Sequence, residues 1–352
     1  MLRRGRNRTQ PEVVAVTGAA TGLGRALVEQ LAGRADLGGL VGIDVVPGRV
    51  DGVVWRTCDV RDPALATRLV GVDAVVHLAT SYDVTLSAAT RRALNVRGTQ
   101  QVLDAAREAG VRRVVLCTSA DVYGVRADNP VPLPDDAPLG AEADGQTLAG
   151  DHVEVERLAS HAGRSGLAVT VLRPATLVGL GAGYDGQVLR QLSAPRLLAV
   201  RGVEPQWQLC HVDDLVAALE LAACGDVGGM LGVACDGALP QSAVEEIAGR
   251  RRLELPAAVA LSTAERLHRA GVTTSSPREL DHLLGPLVLG CDGLLAAGWK
   301  PGWTNEDALR AHLAMRAADA GLGSAVTAAG ATVALLGTAA LVRQARRRRR
   351  GL

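Results

Sequence analysis

The sequence predicts an α/β fold: a doubly wound parallel sheet, followed by a smaller substrate lobe and an apolar helix near the carboxyl end. Three observations carry this expectation. Runs rich in Val and Ile alternate with helical periods from residue 13 onward, the first run breaks into closely spaced glycines, and the second ends in an acid.

Val13-Val14-Ala15-Val16-Thr17 reads as a strand, and Gly18, Gly22 and Gly24 punctuate the turn before a helical run through Leu31. Such a turn aims free backbone N–H groups and a positive helix end at one point, and glycines without Cβ admit a pyrophosphate closely. The sheet is therefore of Rossmann type. Val41-Gly42-Ile43-Asp44 is the second strand, and Asp44 lies 26 residues after Gly18, where a carboxylate accepts from a ribose 2′-OH and repels a 2′-phosphate. This favours NAD over NADP. Arg25 and Arg49 pull the other way, but both read as exposed charges.

Val53 to Thr57 is the third strand, with Asp59-Val60 at its carboxyl end and a helix beginning at Pro63. Val72 to Ala79 is the fourth strand, Ala88 to Ala109 a long helical period stopped by Gly110, and Val111 to Thr118 the fifth strand. The proline-rich loop Asp128 to Pro138 is expected to border the substrate cleft. A helix from about Thr147 to Gly163 and a strand Ala168 to Leu172 complete the cofactor half. The domain reading is a basic arm at 1–12, an NAD-binding domain at 13–173, a substrate lobe at 174–315, an apolar helix at 320–342 and a basic tail at 343–352.

With 352 residues the chain can bury a large core, and a net charge of +1 gives no reason to expect a nucleic-acid partner. Six cysteines without a CxxC pair indicate neither a zinc site nor a disulfide framework, and the basic amino terminus has no apolar stretch of a secretory signal. The expectation is a reducing, cytoplasmic setting. Phe is absent, so the core must rest on Leu, Val and Ala.

Together these pieces resemble the extended short-chain dehydrogenase/reductase family of NAD-dependent epimerases, dehydratases and hydroxysteroid-type dehydrogenases. The resemblance spans about residues 13 to 315. It rests on Thr17-Gly18 to Gly24, Asp44, Asp59-Val60, His77-Leu78-Ala79, Asn95-Val96-Arg97-Gly98-Thr99, Thr118-Ser119-Ala120-Asp121-Val122-Tyr123-Gly124, Leu172-Arg173-Pro174, His211-Val212-Asp213-Asp214-Leu215 and Gly298-Trp299-Lys300-Pro301. It implies that Gly18, Thr21, Gly22, Leu23, Gly24, Asp44, Asp59, Val60, Leu78 and Ala79 hold NAD, that Ser119 orients substrate, and that Asn95 supports the site from its helix. Thr21 stands where this branch usually has its middle glycine.

The larger departure concerns chemistry. The family uses a tyrosine to move the proton of the substrate hydroxyl and, four residues on, a lysine to lower that tyrosine's pKa from about 10. Those positions are Leu148 and His152, no tyrosine lies between Tyr123 and Tyr184, and the sole lysine is Lys300. His152 and Tyr123 are the candidate substitutes; the competing readings are a packed histidine and a structural tyrosine. His211 reads best as the start of a helix, with acids at its positive end.

From Ala320 to Val342 no charge occurs, and five arginines follow at Arg346 to Arg350. These 23 residues, at about 1.5 Å each, match a hydrocarbon core of about 30 Å. Few are strongly apolar, and arginines beyond a single span conflict with the positive-inside pattern. An interfacial helix on a membrane surface satisfies both constraints; packing on the protein or a homodimer mate is the other reading. Two functions stay open: an NAD-dependent oxidoreductase or epimerase/dehydratase acting on a hydroxyl or keto group of a sugar nucleotide or sterol-like alcohol, and a non-catalytic NAD-binding sensor or scaffold.

Overall fold

The computed structural model describes residues 12–83, 86–180, 187–192, 194, 196–270 and 277–322. Its centre is a seven-stranded sheet of β1 (Val13–Thr17), β2 (Gly39–Asp44), β3 (Val53–Thr57), β4 (Ala74–His77), β5 (Arg113–Cys117), β6 (Ala168–Pro174) and β7 (Gly229–Val233). The spatial order is β7-β6-β5-β4-β1-β2-β3, with every pairing parallel. After β3 the chain crosses back to the other side of β1, so the carboxyl ends of β1 and β4 flank the switch point where such sheets take ligands.

Side chains alternate across the sheet as the pleat requires. Val14 and Val16 enter one apolar cluster with α1 (Gly22–Ala32) and α4 (Val212–Cys224), while Ala15 enters the other with α2 (Thr99–Ala109) and α3 (Leu148–Arg164). Both clusters are built almost wholly of Val, Leu and Ala, as a chain without Phe requires. A third cluster of Val178, Leu189, Leu197, Trp207, Leu209 and Leu309 forms the core of the smaller lobe.

Several elements differ from their sequence reading. The fourth and fifth strands keep only the residues that find a ladder partner, 74–77 and 113–117. The helical period from Ala88 is not uniform: Ala93–Gly98 winds as a π-helix, the wide turn that carries Asn95. The seventh strand and its helix α4 come from within 174–315, the stretch read as substrate lobe, so the chain returns to the sheet after its first excursion. Helix α3 starts where Thr147 Oγ1 accepts from Gly150 N at 3.0 Å, and Gly110 ends α2 at φ 73°. His211 does start α4, its Nδ1 accepting from Asp213 N at 3.3 Å.

The apolar stretch read at 320–342 lies outside the described residues beyond Leu322, where the helix Asn305–Leu322 ends. Among the described residues no helix is long and apolar enough to cross a membrane.

Candidate active site

The glycine turn is built by contacts that only glycine permits. Gly18 has φ +68°, and a Cβ there would stand 2.7 Å from Ala79 N and 2.8 Å from the Leu78 carbonyl group; a Cβ on Gly24 would overlap the carbonyl of Gly18. Gly22 opens α1 at φ +52°. The turn, the helix start and the loop after β4 are thus packed into one backbone cradle, with Leu23 buried beneath it and Thr21 exposed at the N-cap.

Asp44 holds the other side of this cradle. Its Oδ2 accepts from Ala20 N at 2.9 Å and its Oδ1 from Val45 N at 2.7 Å, fixing the carboxylate at the end of β2. Arg25 turns away to Glu29 at 2.8 Å, as an exposed helix charge does. Asp59 is bound by Arg61 through Oδ1 and Oδ2, and that guanidinium holds its carboxyl below the ordinary range; Val60 is buried against Gly98.

Leu78 and Ala79 are oriented from beneath. Their N–H groups donate to Thr17 Oγ1 at 3.2 and 3.3 Å, and the same oxygen lies 2.7 Å from His77 Nδ1. His77 Nε2 in turn meets Thr99 Oγ1 at 3.1 Å. Burial pushes the His77 pKa down to about 4, so the ring is neutral and relays a hydrogen-bond chain rather than a charge. Asn95, on the π turn, accepts from Ser81 N at 2.7 Å and donates to Ser81 O at 2.9 Å. It supports the site by clamping the loop after β4.

Beside the cradle, at the carboxyl ends of β5 and β6, opens a cleft of about 400 Å³. Ser119 lines it, with its Oγ accepting from Asp121 N at 3.2 Å. Leu148 also lines it. The position expected to carry the tyrosine therefore faces the cleft with an aliphatic side chain.

Neither candidate substitute reaches that cleft. Tyr123 is 1% exposed; its hydroxyl donates to Asp135 O at 3.1 Å and accepts from Arg173 Nη1 at 2.8 Å, while burial pushes its phenol pKa up. Arg173 is locked to Glu156 by bonds of 3.0 and 2.6 Å, making Tyr123 part of a buried polar post under the sheet. His152 is 3% exposed with Nδ1 lacking a partner, and burial, helped by the Arg91 charge, lowers its pKa to about 4. A neutral, enclosed imidazole cannot replace a lysine cation. Both side chains are thus buried and are not among the residues that line the cleft.

Sequence reasoning missed three features of this region. Tyr82 lines the cleft, although its loop carries no periodic signal. Asp151 is fully buried and pairs with Arg91 at 2.8 Å, tying α3 to the helix before the π turn. The cleft wall also includes Asp121, Arg126, Glu142, Asp281 and His282. Of the wall, the segment Thr118 to Gly124, Leu148 and Pro174 gave a signal in advance.

A switch-point cleft beside a glycine cradle with an acid at the end of the second strand defines a Rossmann-type dinucleotide-binding protein. The chain belongs to the NAD-dependent epimerase/dehydratase family, whose profile matches residues 14–228. NAD is accordingly its cofactor, and the chain is an NAD-binding oxidoreductase-like or epimerase-like protein of the extended short-chain dehydrogenase/reductase type. It is 30% identical over 313 residues to an uncharacterised protein of Mycobacterium tuberculosis, covering 85% of this chain and 82% of that one. It is also 31% identical over 236 residues to a 3-diazoavenalumate denitrifying reductase of Streptomyces, covering 64% and 77%. Among solved structures, the UDP-glucose 4-epimerase of Thermotoga maritima with UDP-glucose aligns at TM-score 0.64 and 20% identity, covering 87% of this chain and 99% of that one. The dTDP-glucose 4,6-dehydratase of Bacillus anthracis with NAD aligns at 0.64 and 13%, covering 88% and 98%.

Proposed function

We propose that the chain catalyses NAD-dependent oxidation or reduction at a hydroxyl or keto group of a small substrate bound in the cleft. The observation that carries this reading is the cleft itself, lined by Leu148 and Ser119 at the carboxyl ends of the sheet strands. Bound NAD supplies or accepts a hydride at its nicotinamide ring. Gly18, Gly22 and Gly24 form the backbone cradle for its pyrophosphate, Leu78 and Ala79 flank the cofactor with their N–H groups held by Thr17, Asp44 receives the ribose hydroxyls, and Asp59 with Val60 completes the cofactor site. The Ser119 hydroxyl donates to the substrate oxygen.

Of the two substrate classes, a neutral sterol-like alcohol or ketone fits the wall better than a sugar nucleotide. The wall carries the carboxyl groups of Asp121, Glu142 and Asp281 beside the guanidinium of Arg126. Several lining side chains, including Leu148, Val125, Leu177 and Leu189, are apolar. A sugar nucleotide keeps its place as the alternative through the UDP-glucose bound by the Thermotoga epimerase.

The test follows absorbance at 340 nm with NAD or NADH against a panel of neutral steroid alcohols and ketones and of UDP-sugars. Turnover of a neutral panel member supports the reading. NAD binding with no turnover in either class favours the second reading, a non-catalytic sensor or scaffold, for which the observation is Leu148 in the cleft wall. For the carboxyl-terminal stretch we infer attachment to an anionic membrane surface through the arginines Arg346 to Arg350. Flotation with phosphatidylserine vesicles should be lost on deleting residues 323–352; retention by the deleted chain would contradict it.

A further inference from the structure

The proposed hydride transfer needs a proton partner, and the position that normally provides one is Leu148. We propose that Tyr82 supplies this proton from the wall of the same cleft. The inference rests on the hydride-transfer reading but draws on separate contacts.

Tyr82 and Leu148 both line the cleft, and Tyr82 is the only tyrosine to do so among the described residues. Its hydroxyl donates to Thr118 O at 3.3 Å and lies 3.5 Å from Cys117 Sγ, which brings it to the residue preceding Ser119. Its backbone is fixed next door: Asn95 grips both the N–H and the C=O of Ser81. The His152 ring packs at 58° against it, with centroids 5.7 Å apart. Loop clamp, ring contact and hydroxyl contact thus hold the phenol in one place, as a proton-transfer group requires.

The other acids of the wall suit the task less well. Proton donation to a developing alkoxide at neutral pH needs a group that is still protonated there, as a phenol is and an ordinary carboxyl group is not, although burial pushes the Asp121 carboxyl up. His282 stands on the substrate lobe and is engaged with Gln191 at 2.5 Å. In the reductive direction the substrate carbonyl carbon gains a hydride from reduced NAD while its oxygen takes the Tyr82 proton. The C=O π pair becomes the new O–H bond, and the phenolate left behind is reprotonated from water. Ser119 donates to the same oxygen and fixes its position.

Two measurements on the full chain test this. Tyr82→Phe should keep NAD affinity within twofold while lowering turnover of the reacting panel member about 100-fold, the lower end of general acid–base contributions. Adding Leu148→Tyr to Tyr82→Phe should recover at least tenfold, since both positions face one cleft. Independently of turnover, nitration by tetranitromethane, read by mass spectrometry, should modify Tyr82 and be slowed at least fivefold by NAD. Unchanged turnover in Tyr82→Phe overturns the proposal. So does a Tyr82 that resists nitration or is nitrated equally fast with NAD present. If the wild-type chain turns over no panel member, the hydride-transfer reading fails by itself, and the nitration result alone then decides whether Tyr82 faces the cofactor side of the cleft.

Discussion

The two sides of the switch point carry different kinds of constraint. On the β1–β2 side, function is written in the backbone: Gly18 and Gly24 leave no room for a Cβ, and Asp44 is pinned by two N–H groups. On the β5–β6 side the cleft wall is built of side chains, and the positions that the family resemblance assigns to a tyrosine and a lysine carry Leu148 in the wall and a buried His152. A backbone cradle tolerates almost no change, because each substitution strains the main chain, whereas a cleft wall can exchange one side chain for another without disturbing the sheet. Loss of the usual relay therefore does not entail loss of the cofactor site.

The largest expected effect strikes the backbone side. Gly24→Ala should abolish saturable NAD binding by calorimetry, because the added methyl overlaps the Gly18 carbonyl and forces the helix away from the turn. Retained wild-type affinity would show that the cradle is looser than its contacts imply. The next effect concerns stability. Glu156→Ala strands the Arg173 charge beneath the sheet, at a cost of about 3–5 kcal/mol, or on the order of 10 °C in Tm. Scanning calorimetry checks it, and a shift below about 2 °C would contradict the buried pairing.

A pH series separates the two histidines from catalysis. Both His77 and His152 have folded pKa values of about 4, below the unfolded value of 6.5, so the unfolded chain binds more protons between these limits. Their contribution to stability is complete above pH 6.5 and is lost progressively as pH falls toward 4. Urea midpoints should decline through that window, and His152→Phe should flatten the decline without altering NAD affinity. A midpoint independent of pH there would mean that these rings reach solvent. The smallest effect is expected of Tyr123→Phe, which removes one hydroxyl from the Arg173 post. It should cost about 1–2 kcal/mol by urea denaturation and leave turnover unchanged.

The same contrast governs what the sequence made legible. Strand periodicity, the glycine turn and Asp44 are local signals, and each appears in the fold where its spacing placed it. The return of the chain to the sheet was not legible, because Gly229-Met230-Leu231-Gly232-Val233 looks like any short lobe strand until it pairs with β6. The π turn at Ala93–Gly98 has no sequence periodicity of its own. Tyr82 was invisible as a site residue because its partners, Thr118 and His152, are distant in the chain and meet it only after β4, β5 and α3 have packed. His152 misled in the opposite way: its position in the motif points to the cleft, while packing turns it into the protein and leaves it neutral.

The central claim, an intact NAD site beside a rewritten cleft, is tested most directly by calorimetric titration of NAD and NADP into the wild-type chain and into Leu148→Tyr. On the proposed reading Asp44 meets the ribose and repels a 2′-phosphate, so NAD should bind one per chain and at least tenfold more tightly than NADP. The Leu148→Tyr chain should give the same NAD affinity within twofold. Absence of saturable NAD binding, or NADP binding as tight as NAD, would contradict the claim.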